Sequence, residues 1–312
     1  MNDLLKTMPA SSPLRYEKGA QASLENRQTA CSDDGIEAAR EKGILTDTDM
    51  FILQTVLDYG VASRNAVTSY LTGLPSMPDS LKKPDYSRNF HNLVEHGLLL
   101  RYSIRVGDRG LPCLYTLSKG AAHYLRRTIG RGYRKRYGIS PVDIQGDIAG
   151  TLRKAAFNQF YMRLMVSGSL ILESHTDIKV RYRGASYCFD GEAKIAHLTE
   201  RESPYEFIFL CLRNFPGWQG YYHGAVQAFQ AKEAGHYLSP DIIVLCESHL
   251  MAAEAEKERS RWPVCDRAVP CHYLPDIMAI EPFTAVYRIT LNGDSYDFAE
   301  VGLSIKKCAK TG

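Results

Sequence analysis

Long apolar runs are missing from this chain of 312 residues. No stretch approaches the roughly 18 residues that a membrane-spanning helix needs, and the opening MNDLLKTMPASS lacks the basic-then-apolar order of a secretory leader. Paired cysteines are missing as well. The eight cysteines (31, 113, 188, 211, 246, 265, 271 and 308) never stand as Cys-x-x-Cys, the spacing of structural zinc sites and redox disulfides. There is no Gly-x4-Gly-Lys-Ser/Thr phosphate loop, no His-Glu-x-x-His zinc helix and no Gly-x-Ser-x-Gly elbow. These absences predict a cytoplasmic protein with no membrane contact, no cofactor and no metal. Cys188, Cys211 and Cys246 lie in strand-like apolar runs, where a thiol behaves as a small hydrophobe. Cys265-x5-Cys271-His272 could supply three ligands but has no fourth nearby, and His223, His236, His249 and His272 are dispersed.

What is present is ordinary for a folded protein: 45% hydrophobic and 23% charged residues, enough for a packed core. The length fits two domains of about 100 to 200 residues each. Residues 1–43 are rich in Ser, Ala, Asn, Gln, Asp and Lys without a sustained apolar period, which predicts a mobile tail. From residue 44 the pattern changes. Thr46 or Asp47 can cap a helix whose Met50, Phe51, Leu53, Val56 and Leu57 share one face, and Gly60 stops it. Ser63 can cap a second helix, Arg64 to Leu71, and a third runs from near Asp85 to His96, with Phe90, Leu93 and Val94 inward. Gly97 suits the left-handed residue that closes that helix. Leu98 to Val106 and Leu111 to Leu117 read as a hairpin around Gly107-Asp108-Arg109-Gly110, and Ser118 caps a helix from Lys119.

Three helices and a two-stranded hairpin, in that order, resemble the winged helix-turn-helix family over residues 44–130. The segment LVEHGLLLRYSIRVGDRGLPCLYTLSKGAAHYL, Leu93 to Leu125, carries the likeness. Charge agrees with it. Arg101 to Arg136 holds ten cations (Arg101, Arg105, Arg109, Lys119, Arg126, Arg127, Arg131, Arg134, Lys135 and Arg136) and one acid, Asp108. That is a net +9 in a chain whose total is +3. A basic wing on an otherwise acidic chain is the footprint of a polyanion partner.

The resemblance implies double-stranded DNA as that partner. The outer residues of the third helix, Ser87, Arg88, Asn89, His91 and Asn92, would face base edges, with Arg88 on guanine and an asparagine on adenine. Each good pair is worth about 1 to 3 kcal/mol of discrimination. Arg101, Arg105, Arg109 and Lys119 would meet phosphates, and Arg126, Arg127, Arg131, Arg134, Lys135 and Arg136 would track the backbone, the last four within a basic linker at 131–150.

Residues 151–306 alternate buried strands with helices, the pattern of a covered, partly parallel α/β sheet. The strand ending in Asp190, the strand Tyr205 to Arg213, the Tyr-rich helix near Tyr221 and Pro240-Asp-Ile-Ile-Val-Leu-Cys-Glu247 resemble the replication-relaxation family of plasmids and conjugative elements. That likeness implies an α+β winged helix domain followed by a mixed-sheet α/β domain of restriction-nuclease-like type. It also implies a role in replication, transfer or transcriptional control, with a second copy of the chain or a replication or transfer protein as further partner. Catalysis would need two carboxylates on a hard cation with a lysine beside them. Asp177 with Glu192-Ala-Lys194 matches in letters, but Asp190-Gly191 reads as a turn that would leave Glu192 and Lys194 on a loop, so the expected domain is inactive. A metal-dependent endonuclease and a module for an acidic protein partner are the rival readings.

Overall fold

The computed structural model describes residues 12–26, 32–106, 109–129, 144–233, 240–276, 285–293 and 295–307. It is a mixed α+β protein built on two separate sheets, and its contacts divide it into two compact units. One is Lys18–Val166; the other is Met1–Glu17 with Ser167–Gly312.

The first unit holds β1 (Gln21–Leu24), α1 (Asp33–Glu41), α2 (Asp47–Tyr59), β2 (Ala62–Ser63), α3 (Arg64–Gly73), α4 (Ser87–Glu95), β3 (Leu99–Val106), β4 (Arg109–Leu117), α5 (Lys119–Ile129) and α6 (Ile148–Val166). Thr46 and Asp49 start α2 as a reciprocal capping box, each side chain taking the other's backbone N–H. Ser63 caps α3 by accepting from the Ala66 N–H at 3.3 Å. The inward residues expected from the spacing do meet: Leu53, Val56, Val67, Leu71, Phe90 and Leu93 share one core with Leu99, Leu117 and Leu125. Gly97 closes α4 at φ 68°, a conformation that costs a residue with a Cβ. The sheet runs β1-β3-β4-β2, all antiparallel, so the short strand between α2 and α3 joins the hairpin strand β4.

Two boundaries differ from the sequence reading. The stretch expected to be a tail contributes β1, paired to β3 from Gln21↔Arg105 to Leu24↔Tyr102, and α1, capped by Ser32 and anchored by the buried Ile36. Average polarity conceals both, because an edge strand is held by backbone hydrogen bonds and a nine-residue helix needs few buried apolar groups. Helix α6, which spans the expected start of the second domain at residue 151, belongs to the first unit. Met162 enters its core, and the buried Asn158 amide donates to the Tyr59 and Val61 carbonyls at 2.8 and 2.7 Å. The first part of the expected linker, 131–143, lies outside the described residues.

Asp58, near the end of α2, has a carboxyl pushed up to about 7 by burial, and its Oδ1 has no hydrogen-bond partner among the described residues. From its ordinary value of 3.8 up to about 7, the folded chain keeps a proton that the unfolded chain has lost. Stability therefore falls as pH rises through that window, and the whole penalty is present above it. Asp58→Asn, which cannot ionise, is expected to stabilise the protein by on the order of 2 kcal/mol at pH 8 and to change little near pH 4. Urea unfolding at the two pH values reads the difference; an equal effect at both would refute it.

The second unit holds β5 (Ile171–Tyr182), β6 (Ala185–Ile195), β7 (Tyr205–Leu212), α7 (Trp218–Glu233), β8 (Asp241–Cys246), α8 (His249–Arg259), the short α9 (Val264–Arg267), β9 (Cys271–Pro275), β10 (Ala285–Asn292) and β11 (Ser295–Gly302). Its sheet is ordered β11-β10-β9-β8-β7-β6-β5. β5, β6 and β7 form an antiparallel meander; β7, β8 and β9 are parallel, linked through α7 and α8; β10 and β11 form a hairpin at one edge. Ile208, Leu210, Leu212, Ile242, Val244 and Tyr273 share a core with Tyr222, Val226, Phe229, Met251 and Ala252 of the two helices. Residues 171–195 form one long hairpin, paired from Ile171↔Ile195 to Tyr182↔Ala185. Asp190-Gly191 is not a turn but the middle of β6. Asp177 takes φ 56° within β5, between the rungs Thr176↔Gly191 and Ile178↔Phe189, so polar and glycine residues here sit in the ladder without ending it.

Candidate nucleic-acid interface

Helix α4 is short, and three contacts hold it. Phe90 packs edge-on against Tyr115 of β4, ring centres 4.7 Å apart, which ties the helix to the hairpin. Tyr86, fully buried just before the helix, accepts from the Lys83 N–H at 3.1 Å and donates to the Leu81 carbonyl, fixing the incoming loop. Asp49 of α2, itself buried, caps its own helix with Oδ2 and accepts from the Asn89 amide at Oδ1, 2.8 Å. The helix is thus positioned by polar contacts from its neighbour as well as by its apolar face.

Those contacts sort the five residues expected to face base edges. Arg88 and His91 are exposed; His91 reaches Glu95 one turn on at 3.1 Å. Asn89 is held between Asp49 and Lys83, and Asn92 donates to the Ile44 carbonyl at 3.1 Å. Both asparagines are committed to the fold, because donors at those positions satisfy acceptors left by α2 and the segment before it. Ser87 is half-buried and bonds Asp85 through both its N–H and its hydroxyl. Arg88 and His91 are the two side chains of the set that remain outward.

The cations divide likewise. Arg105 and Arg109 are exposed at the far end of the hairpin, and Lys119 is exposed at the start of α5. Arg101 pairs with Glu25, Nε to Oε2 2.8 Å, and its guanidinium reaches the Cys113 Sγ. Arg127 pairs with Asp33 of α1 at 2.9 Å. Arg126 is half-buried, with one guanidinium nitrogen enclosed and without a partner among the described residues. Arg131, Arg134, Lys135 and Arg136 lie outside the described residues. The acids that claim Arg101 and Arg127 come from the segment expected to be a tail, which is why the spacing of cations alone does not predict their pairing.

Sequence reasoning missed Arg64 and Lys83. Arg64 is exposed at the first position of α3, close enough to Asp85 and Tyr115 to act on both electrostatically. Lys83 is exposed and reaches Asn89 at 3.3 Å. A basic residue directly after a helix-capping serine was the available signal for the first.

In the second unit Glu192 and Lys194 lie on strand β6, correcting their expected place on a loop. They do not form a catalytic set. Lys194 pairs with Glu206 of β7 at 3.0 Å, and Glu192 stands 3.9 Å from His175 of β5. The buried Asp190 accepts from the Cys211 N–H at 2.7 Å. Beyond the carboxyl ends of β7, β8 and β9, where open α/β sheets bind ligands, the fold places Arg213, Glu247 and Asp276. Arg213 is fully buried and donates to Asp276 at 2.6 Å and to the Leu212 carbonyl at 2.7 Å. Burial pushes the Glu247 carboxyl up. Its Oε2 accepts from the Tyr16 N–H at 2.7 Å, and its carbonyl accepts from the Ser12 N–H at 2.6 Å, so residues 12–16 lie across this end of β8. A fixed guanidinium therefore supplies the positive charge among these carboxylates. Among the described residues no three His, Cys, Asp or Glu side chains are placed to hold a metal ion, and no helix is long and apolar enough to cross a membrane.

No family model matches the sequence, and no curated protein is significantly similar to it. Among solved structures the chain is similar to protein VC1899 from Vibrio cholerae at 11% identity and a TM-score of 0.27, over 84% of this chain. The chain spans 56% of the length of that protein.

Proposed function

We propose that residues 44–130, within the first unit, are a winged helix-turn-helix domain and that the protein is a sequence-specific double-stranded DNA-binding protein. In this reading α2, α3 and α4 are the three helices, α4 enters the major groove, and β3 and β4 form the wing. The observation that carries it is the outward Arg88 and His91 on a short helix clamped to a hairpin that ends in exposed Arg105 and Arg109. Arg88 reads base edges, whereas Arg105, Arg109, Lys119 and Arg64 neutralise phosphates, which every sequence carries alike.

The second unit, in the same proposal, is a restriction-nuclease-like platform without catalysis that serves a second copy or a replication or transfer protein. An antiparallel meander followed by a helix and a parallel strand supports the likeness to nucleases. The spent Asp190 and the Arg213–Asp276 pair support inactivity. A plasmid or conjugative element is the proposed setting, and replication, transfer or transcriptional control the proposed step.

Recovery of the DNA fragments bound from the source genome tests the whole reading. A defined site at an origin or beside the gene itself is the expected result; fragments without a shared sequence would overturn it. Nicking of supercoiled DNA with magnesium or manganese, lost in Glu192→Ala, would restore the endonuclease. Duplex binding that does not weaken with salt would favour an acidic protein partner, because phosphate neutralisation must release counterions.

A further inference from the structure

A second cationic site lies in the α/β unit, on residues that the DNA-binding proposal does not use. β9 and β10 share a single rung, Tyr287↔Tyr273, and beyond it the strands diverge toward the amino end of β9. A cavity of about 300 Å³ opens there, between the divergent strands and the ends of α8 and α9. That volume lies at the small end of the range for ligand sites, about 300 to 1,000 Å³. Its walls carry three guanidinium groups, Arg259, Arg267 and Arg288, against one carboxylate, Glu256.

The bonding around that carboxylate decides which charges are spare. Glu256 receives Arg259 on both oxygens, at 2.8 and 2.9 Å, and accepts the Tyr273 hydroxyl at 2.6 Å. It is satisfied by its own neighbours. Arg259 also donates to the Arg267 carbonyl at 2.8 Å and so holds α9 against α8 as part of the wall. Arg267 and Arg288 are exposed, and neither has a carboxylate partner among the described residues; Arg267 reaches only the Ser260 carbonyl, at 3.4 Å. His272, a buried wall residue, contacts Asp241 through Nε2 at 3.2 Å, while its Nδ1 is enclosed without a hydrogen-bond partner among the described residues. Val269, Pro270 and Ile289 add an apolar part to the wall, beside Thr290.

We infer that this cavity binds a small phosphate-bearing ligand of mononucleotide size or less. Arg267 and Arg288 would hold the phosphate, and the apolar wall would hold its organic part. Two guanidinium groups with no carboxylate partner among the described residues line the cavity, and the planar guanidinium fork matches phosphate geometry through charge-assisted hydrogen bonds. The lining carboxylate, Glu256, is already taken by Arg259 and Tyr273 and so offers a cation no comparable hold.

The test is calorimetric titration of the full-length protein with inorganic phosphate, AMP and adenosine, repeated on Arg267→Ala/Arg288→Ala. Both substitutions are at exposed positions and leave Arg259 and Glu256 intact, so the variant should fold; its thermal unfolding checks this. Expected are saturable binding of AMP, weaker binding of phosphate that competes with it, no binding of adenosine, and at least a tenfold weaker AMP affinity in the variant. A tenfold change corresponds to about 1.4 kcal/mol. Saturable phosphate binding without any gain for AMP would show that the free anion is the ligand and leave the site standing. No saturable binding of either phosphate compound, equal binding of adenosine, or undiminished AMP affinity in the variant would overturn it. Duplex DNA binding by the variant should stay unchanged. If it falls while AMP does not bind, the two arginines belong to a nucleic-acid surface and the inference fails, whereas loss of DNA binding in Arg88→Ala tests the winged helix alone.

Discussion

Arg105→Ala/Arg109→Ala is expected to bind all duplexes more weakly, cognate and unrelated alike. On a plot of log affinity against log salt, the slope should become shallower by about 2, because each phosphate contact contributes roughly 0.9 to it. The two side chains project from the end of the hairpin and have no acid partner among the described residues. Arg88→Ala should behave differently. It should cost about 1 to 3 kcal/mol on the cognate site, little on other DNA, and leave the salt slope within about one contact of the parent. Fluorescence anisotropy with a cognate and a scrambled duplex at several salt concentrations separates the two patterns. If both variants lose affinity uniformly, α4 touches backbone only and sequence choice lies elsewhere. If neither changes, the hairpin and helix are not the interface.

Arg213→Met is expected to destabilise the second unit by about 3 to 5 kcal/mol, since it leaves the nearly buried Asp276 carboxylate without its guanidinium. Arg213→Met/Asp276→Leu should regain a large part of that loss, because deleting both charges of a buried pair costs far less than deleting one. Urea unfolding of the three proteins decides it. A double variant no better than the single one would mean that Arg213 serves the fold through the Leu212 carbonyl contact and not through charge. The pair also bears on the nuclease question: if Arg213→Met acquires metal-dependent nicking, the guanidinium was all that kept those carboxylates from a cation.

Much of the first unit was legible in the sequence. Threonine and serine caps at Thr46 and Ser63, the three-and-four spacing of Leu53, Val56 and Leu57, and the left-handed Gly97 are local signals, and local chemistry decided those elements. Asn89 and Asn92 show where such reading stops. On a helical wheel both lie outside the apolar stripe, yet their partners, Asp49 and the Ile44 carbonyl, come from some 40 to 50 residues earlier in the chain. Long-range hydrogen bonds leave no period to detect. The same holds for Arg101 and Arg127, whose acids sit in a segment that composition marked as unstructured. In the second unit the alternation of strands and helices was readable. Asp190-Gly191 was misjudged because turn-forming residues also occur within strands whose neighbours on both sides supply the ladder.

The four-residue strand at Gln21–Leu24 sets a limit on how the protein can be trimmed. It lies on the outer side of Leu99–Val106, which would otherwise present a row of unsatisfied N–H and C=O groups to solvent. An expression product begun after residue 25, as the polar composition of the first 43 residues would invite, would keep every helix of the first unit. It would nonetheless expose a sticky border able to recruit other copies edge to edge, and the resulting clumping would be easily mistaken for cooperative association on DNA.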